Sequence, residues 1–99
     1  MGFKIEVYTF PESFDDGNMD VFVLTDNKRY VATFFTFSNI NTLINRYKKT
    51  GELLNGKYFW SSNMMLVSDL HENTIVEVVE DLIEKDEFLE VFDLIEDNI

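Results

Sequence analysis

RYVATFFTFSNINTLINRYKKTG, residues 29–51, changes its apolar period once, at Phe37. Arg29 to Thr36 is rich in β-branched and aromatic side chains, which suit the pleated, half-buried surface of a strand. From Phe37 the apolar residues Phe37, Ile40, Ile44 and Tyr47 recur at i, i+3, i+7 and i+10, with Leu43 widening the face, which is the spacing of one side of a helix. Thr36 or Ser38 is available to cap its start and Gly51 to stop it. Lys48 and Lys49 fall in its last turn, where they oppose the partial negative charge of the exposed carbonyls.

Upstream, FKIEVYTF (3–10) alternates Phe3, Ile5 and Val7 on one face with Lys4, Glu6 and Tyr8 on the other, and Pro11 ends it. The stretch PESFDDGNM reads as a loop into a second strand, Asp20–Thr25, and Asp26-Asn27-Lys28 closes a hairpin onto the strand from Arg29. Downstream, Asn55-Gly56 is a turn dipeptide, and Lys57–Ser61 and Met64–Val67 read as two more strands joined across Ser62-Asn63. From Asp69 the pattern is helical. Leu70 and Ile75 have the separation of a hydrophobic staple around a cap near His71, and Ile75, Val78, Val79, Leu82 and Ile83 form an apolar stripe. A bend or break at Lys85-Asp86 precedes a second apolar face of Phe88, Leu89, Phe92 and Ile95. The order β-β-β-α-β-β-α(-α) predicts an α+β fold, an antiparallel sheet of about five strands with helices on one face. A single domain over 1–99, its C-terminal third (67–99) helical and acidic, is expected from a chain of 99 residues.

The formal net charge is −11, and it is not spread evenly. Through residue 66 the bases Lys4, Lys28, Arg29, Arg46, Lys48, Lys49 and Lys57 balance the acids Glu6, Glu12, Asp15, Asp16, Asp20, Asp26 and Glu52. The remaining acids, Asp69 to Asp97, face Lys85 alone, so the net charge belongs to the last third.

The same inventory argues against most catalysis. With no cysteine there is no thiol nucleophile, disulfide or thiolate metal site, and the single histidine, His71, falls among helix-capping residues. Asp15-Asp16-Gly17-Asn18-Met19-Asp20 lacks the alternate spacing and closing Glu of a calcium loop, and none of Gly2, Gly17, Gly51 and Gly56 opens a helix in a phosphate-binding pattern. No enzyme activity, metal or cofactor is expected. No apolar run approaches the ~20 residues of a membrane span. MGFKIEVYTFPESFDD lacks the basic start and apolar run of a secretory leader, so the expected address is the cytoplasm.

Binding is the expectation that remains. Glu77, Glu80, Asp81 and Glu84 recur at i, i+3, i+4 and i+7, which aligns four carboxylates opposite the apolar stripe, and Asp86, Glu90, Asp93 and Asp97 are expected to repeat the pattern on a following helix. Like charges at this spacing destabilise a helix by roughly 0.2–0.5 kcal/mol per pair. Residues 77 to 84 span about 10.5 Å of helix, close to one charge per phosphate spacing of a DNA strand. In a strand over 57–61, Tyr58 and Trp60 would face away from Phe59 and offer aromatic anchors. The basic cluster Arg46, Lys48, Lys49 and Lys57 already has a helix-capping explanation, so direct nucleic-acid binding is not expected.

YVATFFT (30–36) and KKTGELLNGKYFW (48–60), followed by an apolar-acidic helical tail, resemble a group of short bacterial proteins of uncharacterised function. Some small acidic proteins of that kind accompany toxins as immunity partners, so the resemblance implies a bacterial protein partner. The expected function is an inhibitor or immunity-type protein that uses Glu77, Glu80, Asp81, Glu84, Glu90 and Asp93, with Tyr58 and Trp60 as anchors, to dock on a basic site of a partner such as a nuclease toxin. Two alternatives fit the same pattern. One is a phage-encoded nucleic-acid-mimicking inhibitor of a host defence enzyme, and the other is a homodimeric structural or regulatory module that buries its aromatics against itself.

Overall fold

The computed structural model describes residues 2–98. Strands β1 (Lys4–Glu6), β2 (Asn18–Thr25) and β3 (Lys28–Thr36) pair antiparallel in chain order. The β2–β3 hairpin turns on Asp26 (φ 52°) and Asn27 (φ 58°). Two left-handed residues match the twist of the flanking strands, and Asp and Asn accept that conformation better than other non-glycine residues. Thr25 therefore faces Lys28, and the register runs on to Asn18 opposite Phe35.

Helix α1 (Phe37–Thr50) begins one residue after β3 ends, because Thr36 serves both elements. Its backbone is extended, while its Oγ1 accepts the amide of Asn39 at 3.0 Å and that of Gly17 at 3.2 Å. Gly51, at φ 86°, stops α1 as expected. The short α2 (Glu52–Gly56) is a turn of the opposite hand, with Leu53, Leu54 and Asn55 at φ 48°, 52° and 58°. Each left-handed non-glycine residue costs roughly 1–2 kcal/mol, so this turn holds strained backbone. Gly56 closes it at φ 75°, where a Cβ would lie 2.6 Å from the carbonyl oxygen of Ile44.

The chain then returns as β4 (Met64–Val67), which lies parallel to the second half of β3, from Thr33 opposite Met64 to Thr36 opposite Val67. Helices α3 (Glu72–Glu84) and α4 (Phe88–Val91) follow, and β5 (Asp93–Glu96) pairs antiparallel with the first half of the same β3 edge. The fold is α+β, with a five-stranded, predominantly antiparallel sheet.

Two segments depart from the boundaries read in the sequence. Lys57–Ser61 is not a strand: Phe59 packs as an alternating pattern requires, but no neighbouring strand takes its backbone groups, because β4 and β5 together occupy the open edge of β3. The second tail helix is one turn only. Asp86 turns the chain at φ 60°, and Phe92, extended at ψ 138°, leads it into β5. The acidic last third is therefore helix and strand, not helix throughout.

One face of the sheet carries the core. Met19, Val21, Val23, Tyr30, Ala32, Phe34 and Val67 meet Leu70, Ile75, Val79, Leu82, Phe88 and Phe92, each such burial worth roughly 1.5–3 kcal/mol for the larger side chains. Phe88 stacks on Phe92 at 4.5 Å, and the two rings meet Tyr30 and Phe34 at 5.1 and 6.0 Å. Across the sheet Phe35 meets Phe59 at 5.2 Å, and Phe59 lies nearly parallel to Tyr47 of α1. Helices thus occupy both faces: α3 and α4 follow the expectation of a single covered face, whereas α1 covers the other through Phe59. Consecutive Phe34 and Phe35 point to opposite sides of the strand, so each side needs its own cover.

Candidate partner-binding surfaces

Helix α3 owes its placement to its first turn. Leu70 and Ile75, both buried, form the expected staple around His71, which holds the N-cap position without a side-chain cap bond. The capping oxygen comes from Asp69, whose Oδ1 accepts the His71 amide at 2.9 Å. The Thr74 hydroxyl and that amide hold the Asp69 carboxyl below the ordinary aspartate range. The His71 ring lies against Phe14 at 5.1 Å, with Nε2 3.8 Å from Asp15 Oδ1, so it ties the 10–17 loop to α3.

With its apolar stripe held on the sheet, α3 turns Glu77, Glu80, Asp81 and Glu84 outward, and all four are exposed. Lys85 bridges Asp81 at 2.9 Å, and that hydrogen bond raises the lysine pKa. The other expected site residues are dispersed. Glu90 is exposed on α4, and Asp93 lies in β5 opposite Val31. The four acids Asp86, Glu90, Asp93 and Asp97 do not share a helix face, because the chain leaves the helix at Phe92. Tyr58 and Trp60 are exposed, at 45% and 68%, on the segment anchored by Phe59, with the sheet between them and α3.

No family model, curated protein or solved structure matches this chain. Several acids elsewhere are engaged by the fold. Asp16 accepts hydrogen bonds from Asn39 and Thr42, and Asp20 accepts one from Thr33. Arg29 spans Glu6 of β1 at 3.4 Å and Glu96 of β5 at 3.0 Å, and Tyr8, which donates to the same Glu6 at 2.6 Å, has its pKa raised by that bond. Among the described residues no three acidic or histidine side chains converge to hold a metal ion, and no helix is long and apolar enough to cross a membrane.

A feature that residue spacing does not announce lies between β1 and α3. A cavity of about 310 Å³ is lined by Ile5, Val7, Phe10, Phe14, Leu70 and Glu72, among others, and one of about 270 Å³ by Phe3, Glu80, Ile83 and Glu84. Both sit along the same seam, with Phe3, Ile5 and Val7 as an apolar floor and Glu72, Glu80 and Glu84 as an acidic wall. The alternation in residues 3–7 signalled the floor. That α3 would run beside it was not visible before strand pairing placed β1 at the sheet's edge.

Proposed function

We propose that this chain is a non-catalytic binding protein whose acidic face docks on a basic site of a protein partner, in the manner of an inhibitor or immunity protein acting on a nuclease toxin. The observation that carries the reading is α3: Glu77, Glu80, Asp81 and Glu84 lie exposed on one helix face with Lys85 as the single compensating base in the last third of the chain. Interleaved lysines would relieve the repulsion between these carboxylates, and a complementary basic surface relieves it equally well while speeding encounter. Exposed Tyr58 and Trp60 supply a separate contact.

The test is a variant in which Glu80, Asp81 and Glu84 are changed to Lys, compared with the parent for capture of a partner from bacterial lysate over a range of salt. Loss of capture, with parental capture weakening as salt rises, is the expected result. Unchanged capture with unchanged salt dependence would sink the reading.

A further inference from the structure

Among the described residues strand β1 pairs with β2 alone, Lys4 opposite Leu24, Ile5 opposite Val23 and Glu6 opposite Phe22, and so forms one edge of the sheet. Among the described residues no backbone hydrogen bond from another segment reaches its outer side. An edge of this kind offers unpaired amides and carbonyls to any extended chain laid beside it. Phe3, Ile5 and Val7 point toward the core and are only partly buried. Phe10, at the rim, is 67% exposed.

The seam beyond this edge has a length and a charge. Phe3 to Val7 covers about 13 Å of strand, and Glu72 to Glu80 about 12 Å of helix. Phe3 shares a cavity with Glu80 and Glu84, while Ile5 and Val7 share one with Glu72, so strand and helix run side by side in opposite directions. The larger cavity is apolar except for Glu72, and the smaller one combines Phe3 and Ile83 with two carboxylates.

We infer that this groove binds an extended basic segment of the partner, which adds a strand to the free edge of β1. Main-chain hydrogen bonds to β1 hold the segment, and alternate side chains point inward as they do in any strand. An inward apolar residue fills the larger cavity opposite Ile5 and Val7. Inward Lys or Arg side chains lay their aliphatic stems on the apolar floor and bring their charges to Glu72 at one end and to Glu80 and Glu84 at the other. The proposal rests on the reading that a basic partner is bound, and it names the form that the bound segment takes.

The probe is a blocked peptide, Lys-Thr-Val-Thr-Leu-Thr-Lys, titrated into the isotope-labelled protein and followed by NMR. Its controls are the same peptide with both Lys replaced by Glu, and one N-methylated at alternate residues to remove main-chain donors. Shifts at the amides of 3–7 and the methyls of Ile5, Val7 and Ile75 are expected with the basic peptide, and neither control should reproduce them. Replacing Glu72, Glu80 and Glu84 by Gln should weaken binding about tenfold, whereas Glu77→Gln with Asp81→Asn should leave it within about twofold. Binding insensitive to N-methylation overturns the strand-addition proposal. So does loss of binding in the Glu77/Asp81 variant alone, an outcome that would leave the docking of α3's outer face standing. Peptide binding at 3–7 together with lysate capture that is unchanged in the Glu77/Asp81 variant but lost in the Glu72/Glu80/Glu84 variant would remove the outer-face reading and keep the groove.

Discussion

Asp69 shows how one side chain couples a loop to a helix. Its carboxylate satisfies the His71 amide at the start of α3, and its lowered pKa means that the folded chain favours the charged form. A carboxylate held below its unfolded value adds stability above that value and loses it as pH falls through the lowered one. Asp69→Asn should therefore melt at a lower temperature than the parent at pH 7, and the gap should close as pH drops below about 3.9. Thermal melts by circular dichroism across pH 2–7 would show it, and a gap undiminished in acid would mean that charge is not its source. The cap near His71 and the Leu70–Ile75 staple were legible, since both depend on spacing along the chain. The capping oxygen of Asp69 was not, because it lies two residues before the cap position and acts through the loop's geometry.

Strand β5 illustrates how an element forms where local pattern favours another. Phe88, Leu89, Phe92 and Ile95 have helical spacing, yet β3 leaves the backbone groups of Arg29–Val31 without a partner unless the tail supplies one. Burial of Phe92 against Phe34 and Phe88 sets the point where the chain turns extended. Arg29 then secures β5 through Glu96 while reaching Glu6 of β1 from the same guanidinium. Arg29→Met should loosen β5 without unfolding the protein. Hydrogen exchange at the amides of 94–96 is expected to speed up, while global stability changes by less than about 1 kcal/mol, as for partly exposed ion pairs. Equal acceleration across β2 and β3 would contradict that local role. Lys57–Ser61 is the converse case, for Tyr58 and Trp60 are exposed while Phe59 packs inward, as in a strand, but the hydrogen-bonding partner it would need is already taken.

Across the molecule the charge is carried by the C-terminal third, and its principal block stays together on α3. The pairs 77/80, 77/81, 80/84 and 81/84 repel at helical spacing, at roughly 0.2–0.5 kcal/mol each. Salt shortens the range of that repulsion to about 10 Å at 0.1 M. Raising NaCl from 10 mM to 0.5 M should therefore raise the melting temperature by about 4–8 °C, the equivalent of roughly 1 kcal/mol in a domain of this size. Calorimetry would read the shift directly, and a melting temperature that stayed flat or fell would show that the acidic face is not under electrostatic strain.

The amino-acid order alone determined what depends on neighbours in the chain: the change of period at Phe37, the stop at Gly51, the β2–β3 turn, the strand at Met64–Val67, and the carboxylates aligned on α3. The tertiary structure decided everything that required knowing which edge of which strand was free. It placed β4 parallel to β3, drew Asp93–Glu96 out of a helical pattern into the sheet, separated Tyr58 and Trp60 from the acids, and set β1 at the border beside α3. Local spacing carries the direction in which a side chain points, whereas an unpaired backbone edge is a property of the assembled sheet.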